Sequence, residues 1–320
     1  MDTKTINILF FGTSEFAVPI LQKLIDEKYN IAAVVTRPDK PVGRKQILTP
    51  SPVKLLAEKY RIPVHQPENF LSYGRDASRP YFDLIITASY GKIIPKEMLD
   101  FPKYGALNVH PSLLPKYRGS SPVQYAILNG DKETGATIML MDEKMDHGKI
   151  LAQEKIRIED RQTFLSLHNE LAQISAELLV KTIPLWINNE IKPCPQDCAK
   201  ATYAKIITKK DGKINWNKSA EEIECQIRAF SLWPGCWTIL NIDGEEKCLK
   251  IIDAAAETKH YPARADWQAG KIIKTENKKM TVVCGSGILK ILQLQIEGKK
   301  IMAGENFLNG HQKLIGQILK

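Results

Sequence analysis

INILFFGTSEFAVPILQKLIDEKYNIAAVVTR, residues 6–37, changes its hydrophobic period twice, and those changes decide the fold. INILFFG is a continuous apolar run that stops at Gly12, the pattern of a strand buried on both faces. TSEFAVPILQKLIDEKY then carries its apolar residues at helical spacing, which predicts a helix opening behind a Thr/Ser cap. IAAVVTR returns to an unbroken apolar run, a second strand. Apolar strands separated by an amphipathic helix predict a parallel sheet with helices on both faces.

The alternation continues outward from this unit. SPVKLLAEKY (51–60) predicts a helix with Ser51 as cap and Pro52 in its first turn. DLIITASYG (83–91) and GALNVHP (105–111) read as further strands, and TFLSLHNELAQISAELLVKTIPLWINN (163–189) as a long helix closing the domain. The fold class is therefore α/β: a Rossmann-like, mostly parallel sheet over residues 1–190. Ligands of such sheets bind at the carboxyl ends of the strands, near the point where the strand order reverses. Gly12, the run from Ala88 to Gly91 and the run from Asn108 to Ser112 all fall at such ends.

Residues 191–208 are rich in Pro, Lys and small side chains and lack periodicity, which predicts a surface linker. Beyond them, SAEEIECQIRAF (219–230) has Ser219 and Glu222 at capping-box spacing, and Asp243-Gly244 marks a hairpin turn inside CWTILNIDGEEKCLKII (236–252). Several short strands at close spacing predict a small C-terminal β-barrel, OB-like, over residues 209–320.

The chain has 320 residues, 43% of them hydrophobic, and a formal net charge of +9. That balance favours a polyanionic partner, and residues 206–320 are the more basic part per residue. No apolar run approaches the roughly 18–20 residues of a membrane span, and no signal-like segment opens the chain. A cytoplasmic protein without a membrane partner is expected. The six cysteines all lie between Cys194 and Cys284. Only Cys194 and Cys198 are close in sequence and no histidines flank them, so the expectation is reduced, mostly packed thiols and no metal site.

Candidate chemistry centres on ALNVHPSLLPKYRG (106–119). In a strand Asn108, His110 and Ser112 would share one face while Val109 turns into packing. An isolated histidine at a strand end more often satisfies a turn, but an amide beside an imidazole at a ligand-binding edge can polarise a carbonyl and stabilise an oxyanion. MLMDEKMDHGKI (139–150) supplies Asp142, Glu143 and Asp146 as possible carboxylate partners, and spacing does not choose among them. No G-x-S-x-G elbow surrounds Ser112, the first domain has no cysteine before Cys194, and neither a P-loop nor a full G-x-G-x-x-G is present. The attacking group is expected to come from a substrate.

NVHPSLLPKYRGSSP (108–122) together with MDEKMDHG (141–148) resembles the signature of the formyltransferases that use 10-formyltetrahydrofolate. The resemblance implies that Asn108, His110 and Asp146 are catalytic. It implies that Ser112, Leu113, Leu114 and Pro115 line the folate site, with the folate head group against backbone in the segment of Ala88, Tyr90 and Gly91. No metal is implied. FFGTSEFAVPIL, TRPDKPVGRKQILTPSPVKLLA (36–57) and DGKINWNKSAEEIECQIRAFSLWPGCW (211–237) resemble the branch of that family whose acceptor is methionyl initiator tRNA. In that branch the segment at 36–54 is a mobile basic loop entering the acceptor stem, which makes Arg37, Lys40, Arg44 and Lys45 candidate tRNA ligands, with Arg44 at the important position. Lys54 belongs to the same basic run. Lys209 and Lys210 of the basic second domain are candidates for the tRNA backbone. The expected partners are initiator tRNA and the folate donor, and the expected state is a monomer. Two positions depart from the family pattern: Ser14 stands where proline is frequent, and His147, expected to face solvent, follows Asp146 where a small residue is usual. The alternatives are a relative that formylates a small amine or nucleotide sugar, a formyltetrahydrofolate hydrolase, and a non-catalytic RNA-binding protein that keeps the cleft.

Overall fold

Ile8, Leu9, Phe10 and Phe11 are all fully shielded from solvent, so β1 (Asn7–Gly12) has no exposed face and must lie inside a sheet. A computed structural model describes residues 3–43, 46–68, 81–257, 268–274 and 279–320. β1 pairs in parallel with β2 (Asn30–Val35). A short antiparallel hairpin follows, β3 (Lys40–Val42) with β4 (Ile47–Thr49), and then β5 (Val64–His65), β6 (Leu84–Ala88) and β7 (Ala106–His110). β8 (Arg118–Gly119) lies outside the main sheet, paired in parallel with β11 (Tyr203–Ala204), whereas β9 (Glu133–Leu140) and β10 (Ile150–Arg157) extend it antiparallel. The seven-stranded order is β10-β9-β7-β6-β1-β2-β5. From β1 the chain first builds toward β5 and then returns to place β6 on the other flank. The strand order reverses between β1 and β6, whose carboxyl ends Gly12 and Ala88 are paired.

The helix Ala17–Asp26 buries Ala17, Ile20, Leu21 and Leu24, one stripe at helical spacing. Its expected Thr/Ser cap is not formed: Phe16 is the N-cap and makes no side-chain bond. The helix Pro52–Lys59 does start at its expected cap, with Ser51 Oγ accepting from Lys54 N at 3.1 Å. Phe164–Ile187 is the long helix expected from its periodicity.

The chain divides into two compact units, and the division is not a single cut. Met1–Pro122, Glu133–Arg157 and His168–Lys205 form the first; Val123–Lys132, Ile158–Leu167 and Ile206–Lys320 form the second. In the second, β12 (Cys236–Ile242), β13 (Glu245–Glu257), β14 (Ile272–Lys274), β15 (Met280–Val283) and β16 (Ile288–Ile296) make an antiparallel half-barrel in the order β12-β13-β16-β15-β14. Asp243 and Gly244 both have positive φ, 53° and 90°, as the hairpin turn between β12 and β13 requires. Ser219 and Glu222 form the expected capping box. The C-terminal tail runs along both free edges: Lys320 exchanges two backbone bonds with Ile239 of β12, while Gly316, Gln317 and Leu319 bond to Ile272 and Gly270 at β14. Cys236 and Cys284 are buried, but Cys194 and Cys198 are exposed rather than packed. Their surroundings, rich in Pro and polar residues, offer little apolar surface to bury them. Among the described residues no helix is long and apolar enough to cross a membrane.

Candidate active site

The strand ends at the reversal point are tied to one another by side chains. Ser14 Oγ donates to Ser89 Oγ at 2.7 Å, and Thr13 Oγ1 donates to the carbonyl of Tyr90 at 3.1 Å. Thr13 and Ser14 therefore join the loop after β1 to the loop after β6 instead of capping a helix. Ala88 is fully buried, and the Tyr90 ring packs edge-on against Phe11 with centroids 5.3 Å apart. Both side chains are thus buried. Gly91 has φ +73°, and a Cβ there would collide with the Arg37 guanidinium. Arg37 Nε is buried with no hydrogen-bond partner among the described residues. Arg37 thus sits on the β6 loop.

β7 runs beside β6 with Asn108 opposite Thr87 and Val109 opposite Ala88. Asn108 and His110 share a face while Leu107 and Val109 are buried, as alternation requires. Ser112 is not part of that face: β7 ends at His110, and the buried Ser112 donates to the Lys116 carbonyl at 2.6 Å, closing the turn. The Ser112–Pro115 turn is held from the opposite strands. Thr137 Oγ1 donates to the Ser112 carbonyl at 2.6 Å and accepts from Leu114 N at 3.2 Å, and Gln153 Nε2 donates to the Leu114 carbonyl at 2.9 Å. Leu114 is buried, whereas Leu113 and Pro115 remain partly accessible.

Of the three carboxylates left open by spacing, Asp146 is the one brought to Asn108 and His110. Asn108 Nδ2 donates to its Oδ1 at 3.2 Å, Gly119 N donates to its Oδ2 at 2.8 Å, and Oδ1 lies 3.7 Å from His110 Nδ1. Both side chains are shielded, with His110 5% and Asp146 14% exposed. The imidazole is oriented by the Tyr117 carbonyl, 2.9 Å from Nε2. A carbonyl only accepts, so Nε2 carries the proton and Nδ1 is the nitrogen turned to Asp146. Asp142 and Glu143 are engaged elsewhere, with His147 at 2.7 Å and Lys96 at 3.4 Å. His147, expected to face solvent, is therefore paired.

The basic segment carries a short hairpin braced at its base. Lys54 Nζ bonds Asp39 Oδ2 at 2.7 Å, Gln66 Nε2 donates to Asp39 Oδ1 at 2.7 Å and to the Arg37 carbonyl at 2.8 Å, and the Thr36 and Ser51 hydroxyls meet at 2.7 Å. Lys54 is thereby committed to the brace. Lys40 is exposed on β3, and Arg44 and Lys45 lie outside the described residues. Lys209 and Lys210 are exposed in a 3₁₀ turn, Lys209–Gly212, of the second unit.

Sequence reasoning missed Gly119, Tyr117, Thr137 and Gln153. Gly119 and Tyr117 act through backbone groups, and Thr137 and Gln153 become relevant only through the β9–β10 register. Gly119 alone left a signal, a glycine at the end of the quoted run: its φ is +115°, and a Cβ there would lie 2.5 Å from the Ala204 carbonyl oxygen.

Two family models match the chain, the formyl transferase domain over residues 4–183 and the formyl transferase C-terminal domain over 206–312. The methionyl-tRNA formyltransferase of Halalkalibacterium halodurans is 45% identical over 317 residues, covering 98% of both chains, and that of Bacillus cytotoxicus is 43% identical over 319 residues with the same coverage. Among solved structures, an N-formyltransferase from Helicobacter canadensis in complex with folinic acid and dTDP-3-aminofucose superposes with a TM-score of 0.65 at 22% identity, over 90% of this chain and 98% of its own. With both domain models matched in order and with relatives of this similarity along its length, the chain belongs to the formyl transferase family, among the methionyl-tRNA formyltransferases.

Proposed function

We propose that this protein transfers the formyl group of 10-formyltetrahydrofolate to the α-amine of methionyl initiator tRNA. The observation that carries the chemistry is a single shielded carboxylate, Asp146, bonded to Asn108 and facing the Nδ1 edge of His110. The donor lies against the backbone of residues 88–91 and the Ser112–Pro115 turn, with its formyl carbon toward Asn108. Attack by the amine gives a tetrahedral intermediate whose oxygen needs hydrogen-bond donors. One Asn108 amide proton is used on Asp146, which leaves the second for that oxygen, and His110, whose Nε2 proton is held by the Tyr117 carbonyl, donates another from Nδ1 in its doubly protonated form. Asp146 takes up the proton of the attacking amine, directly or through a water, and a proton is returned to N10 of the folate as the C–N10 bond breaks and tetrahydrofolate leaves. Holding two bound substrates in attack geometry contributes much of the remaining acceleration. The β3–β4 hairpin, with Lys40 exposed, meets the acceptor stem beside Arg37, and Arg44 and Lys45 are further tRNA ligands. Lys209 and Lys210 meet the tRNA backbone.

The test is transfer of labelled formyl from 10-formyltetrahydrofolate to methionyl initiator tRNA, run beside elongator methionyl-tRNA, a small amine and water. Rapid labelling of the initiator alone is expected, with His110→Ala reducing the rate on the order of 10²–10⁴-fold, the usual range for loss of acid–base assistance. Label passing to the small amine or to water instead would overturn the choice of acceptor, and an undiminished rate in the variant would remove His110 from the chemistry.

A further inference from the structure

His147 belongs to a second chemical array outside the formyl-transfer site. Its Nδ1 lies 2.7 Å from Asp142 Oδ2, and the other carboxylate oxygen accepts from Lys144 N at 2.9 Å. A carboxylate only accepts, so Nδ1 carries the proton and Nε2 presents its lone pair. That lone pair meets Cys198 Sγ at 3.6 Å. Carboxylate, imidazole and thiol are thus in the order in which a base oriented by a third group activates a nucleophile. Arg118 Nη2 lies 3.9 Å from the same sulfur. Cys194, the other exposed thiol, instead points at the Pro195 carbonyl, which accepts a hydrogen bond but cannot remove a proton. Cys236 and Cys284 are pushed up to about 12 by burial. An open cavity of about 330 Å³ is lined by Asp142, Lys144 and His147 at the carboxylate end of the array, and Cys198 at its other end is itself exposed.

The sulfur is also wired to the catalytic loop. Arg118 is buried and donates from Nε and Nη2 to Gln196 Oε1 at 3.1 and 2.8 Å. Gln196 Nε2 in turn donates to the carbonyls of Asp146 and Gly148 at 3.0 and 2.8 Å. Arg118 also precedes Gly119, whose N–H holds the Asp146 carboxylate.

We propose that Asp142, His147 and Cys198 form an activated-thiol site that reacts with hydroperoxides, and that the oxidised sulfur slows formyl transfer by displacing Arg118 from the Asp146 loop. His147 takes the thiol proton and the sulfur attacks one peroxide oxygen. The O–O bond breaks, and the sulfur loses two electrons and becomes a sulfenic acid. The departing hydroxide, or alkoxide from an organic hydroperoxide, takes the proton from His147 and leaves as water or an alcohol. The effect on transfer rests on the formyl-transfer reading; the reactivity of the thiol does not.

The experiment treats the full-length protein with limiting hydrogen peroxide, traps sulfenic acid with a dimedone reagent, and quantifies each cysteine by peptide mass spectrometry. Formyl transfer and hydrogen exchange at residues 119 and 146–148 are followed in parallel. Cys198 is expected to label roughly tenfold faster than Cys194, and His147→Asn to bring it to the Cys194 rate while leaving Cys194 unchanged. Cys198→Ser is expected to keep the transfer rate and to lose its sensitivity to peroxide. Equal labelling of Cys198 and Cys194, or an unchanged rate in His147→Asn, overturns the activated thiol. Full labelling of Cys198 with neither transfer nor loop exchange altered overturns the coupling. Absence of transfer before any peroxide is added would instead count against the proposed function, with labelling and exchange still deciding the thiol site and its coupling.

Discussion

Asp146 sits at φ +48°, a left-handed conformation that a short polar side chain tolerates better than most. The cost is small because the carboxylate is fixed at both oxygens, by the Asn108 amide and by the Gly119 N–H. Gly119 is the sensitive partner, since φ +115° and the nearby Ala204 carbonyl both exclude a side chain. Gly119→Ala is expected to cost at least about 1–2 kcal/mol from backbone strain alone. Moving that N–H also withdraws it from Asp146. The measurement is a denaturant midpoint beside the transfer rate: both should fall, and a rate unchanged in a destabilised variant would show that Asp146 does not depend on this bond. Asn108 and His110 were legible in the sequence because strand alternation alone puts them on one face. Ser112 was misplaced by the same rule, because Pro111 ends β7 and the rule stops with the strand. Asp146 was not legible from spacing: which of three nearby acids turns inward is set by the turn between β9 and β10, not by sequence distance.

The β3–β4 hairpin shows how an element is oriented by a few polar contacts at its base. Ile47 and Leu48 on β4 are exposed, so apolar burial does not hold this strand, and Asp39, Lys54 and Gln66 brace its base. Hydrogen bonds from Lys54 and then Gln66 hold the Asp39 carboxyl below the usual carboxylate range. The folded state therefore favours the charged form. The brace is complete above the unfolded carboxylate value and is lost as pH falls through the depressed one. Acid titration followed by NMR at the Gln66 side-chain amide should show this transition, and Asp39→Asn should remove it. A Gln66 signal insensitive to acid would mean that the hairpin is oriented by something else. Composition exposed the basic run, but pairing across a turn and the commitment of Lys54 to an ion pair depend on contacts with Gln66, twelve residues beyond Lys54. The helix after β1 was legible in its apolar stripe and not in its start, because Thr13 and Ser14 found partners on the β6 loop.

Across the whole molecule, the two units are stabilised differently and should respond to different perturbations. The first rests on buried parallel strands, a pattern plain in the sequence. The half-barrel of the second has two free edges that the tail covers by backbone bonds, and such bonds leave no compositional trace. Removing residues 316–320 exposes those edges and deletes the buried Leu319. The expected loss is on the order of 2–5 kcal/mol, read as an early unfolding transition of the second unit. If the truncated chain unfolded at the same denaturant concentration, the tail would be an accessory and not a closing strand.

The net charge of +9 calls for a test at the same scale. If Lys209 and Lys210 each neutralise a tRNA phosphate, Lys209→Ala/Lys210→Ala releases fewer counterions on binding. The slope of log affinity against log salt should then fall by roughly 1–2. Both side chains are exposed and neither joins a salt bridge recorded among the described residues, so stability should be unchanged within about 0.5 kcal/mol. At saturating tRNA the rate of transfer should also be unchanged, because these lysines act on binding and not on the reacting atoms. An unaltered affinity and salt slope would place the anion track elsewhere on the protein, whereas a lower saturating rate with an intact slope would mean that the second unit positions the acceptor end and not the tRNA backbone.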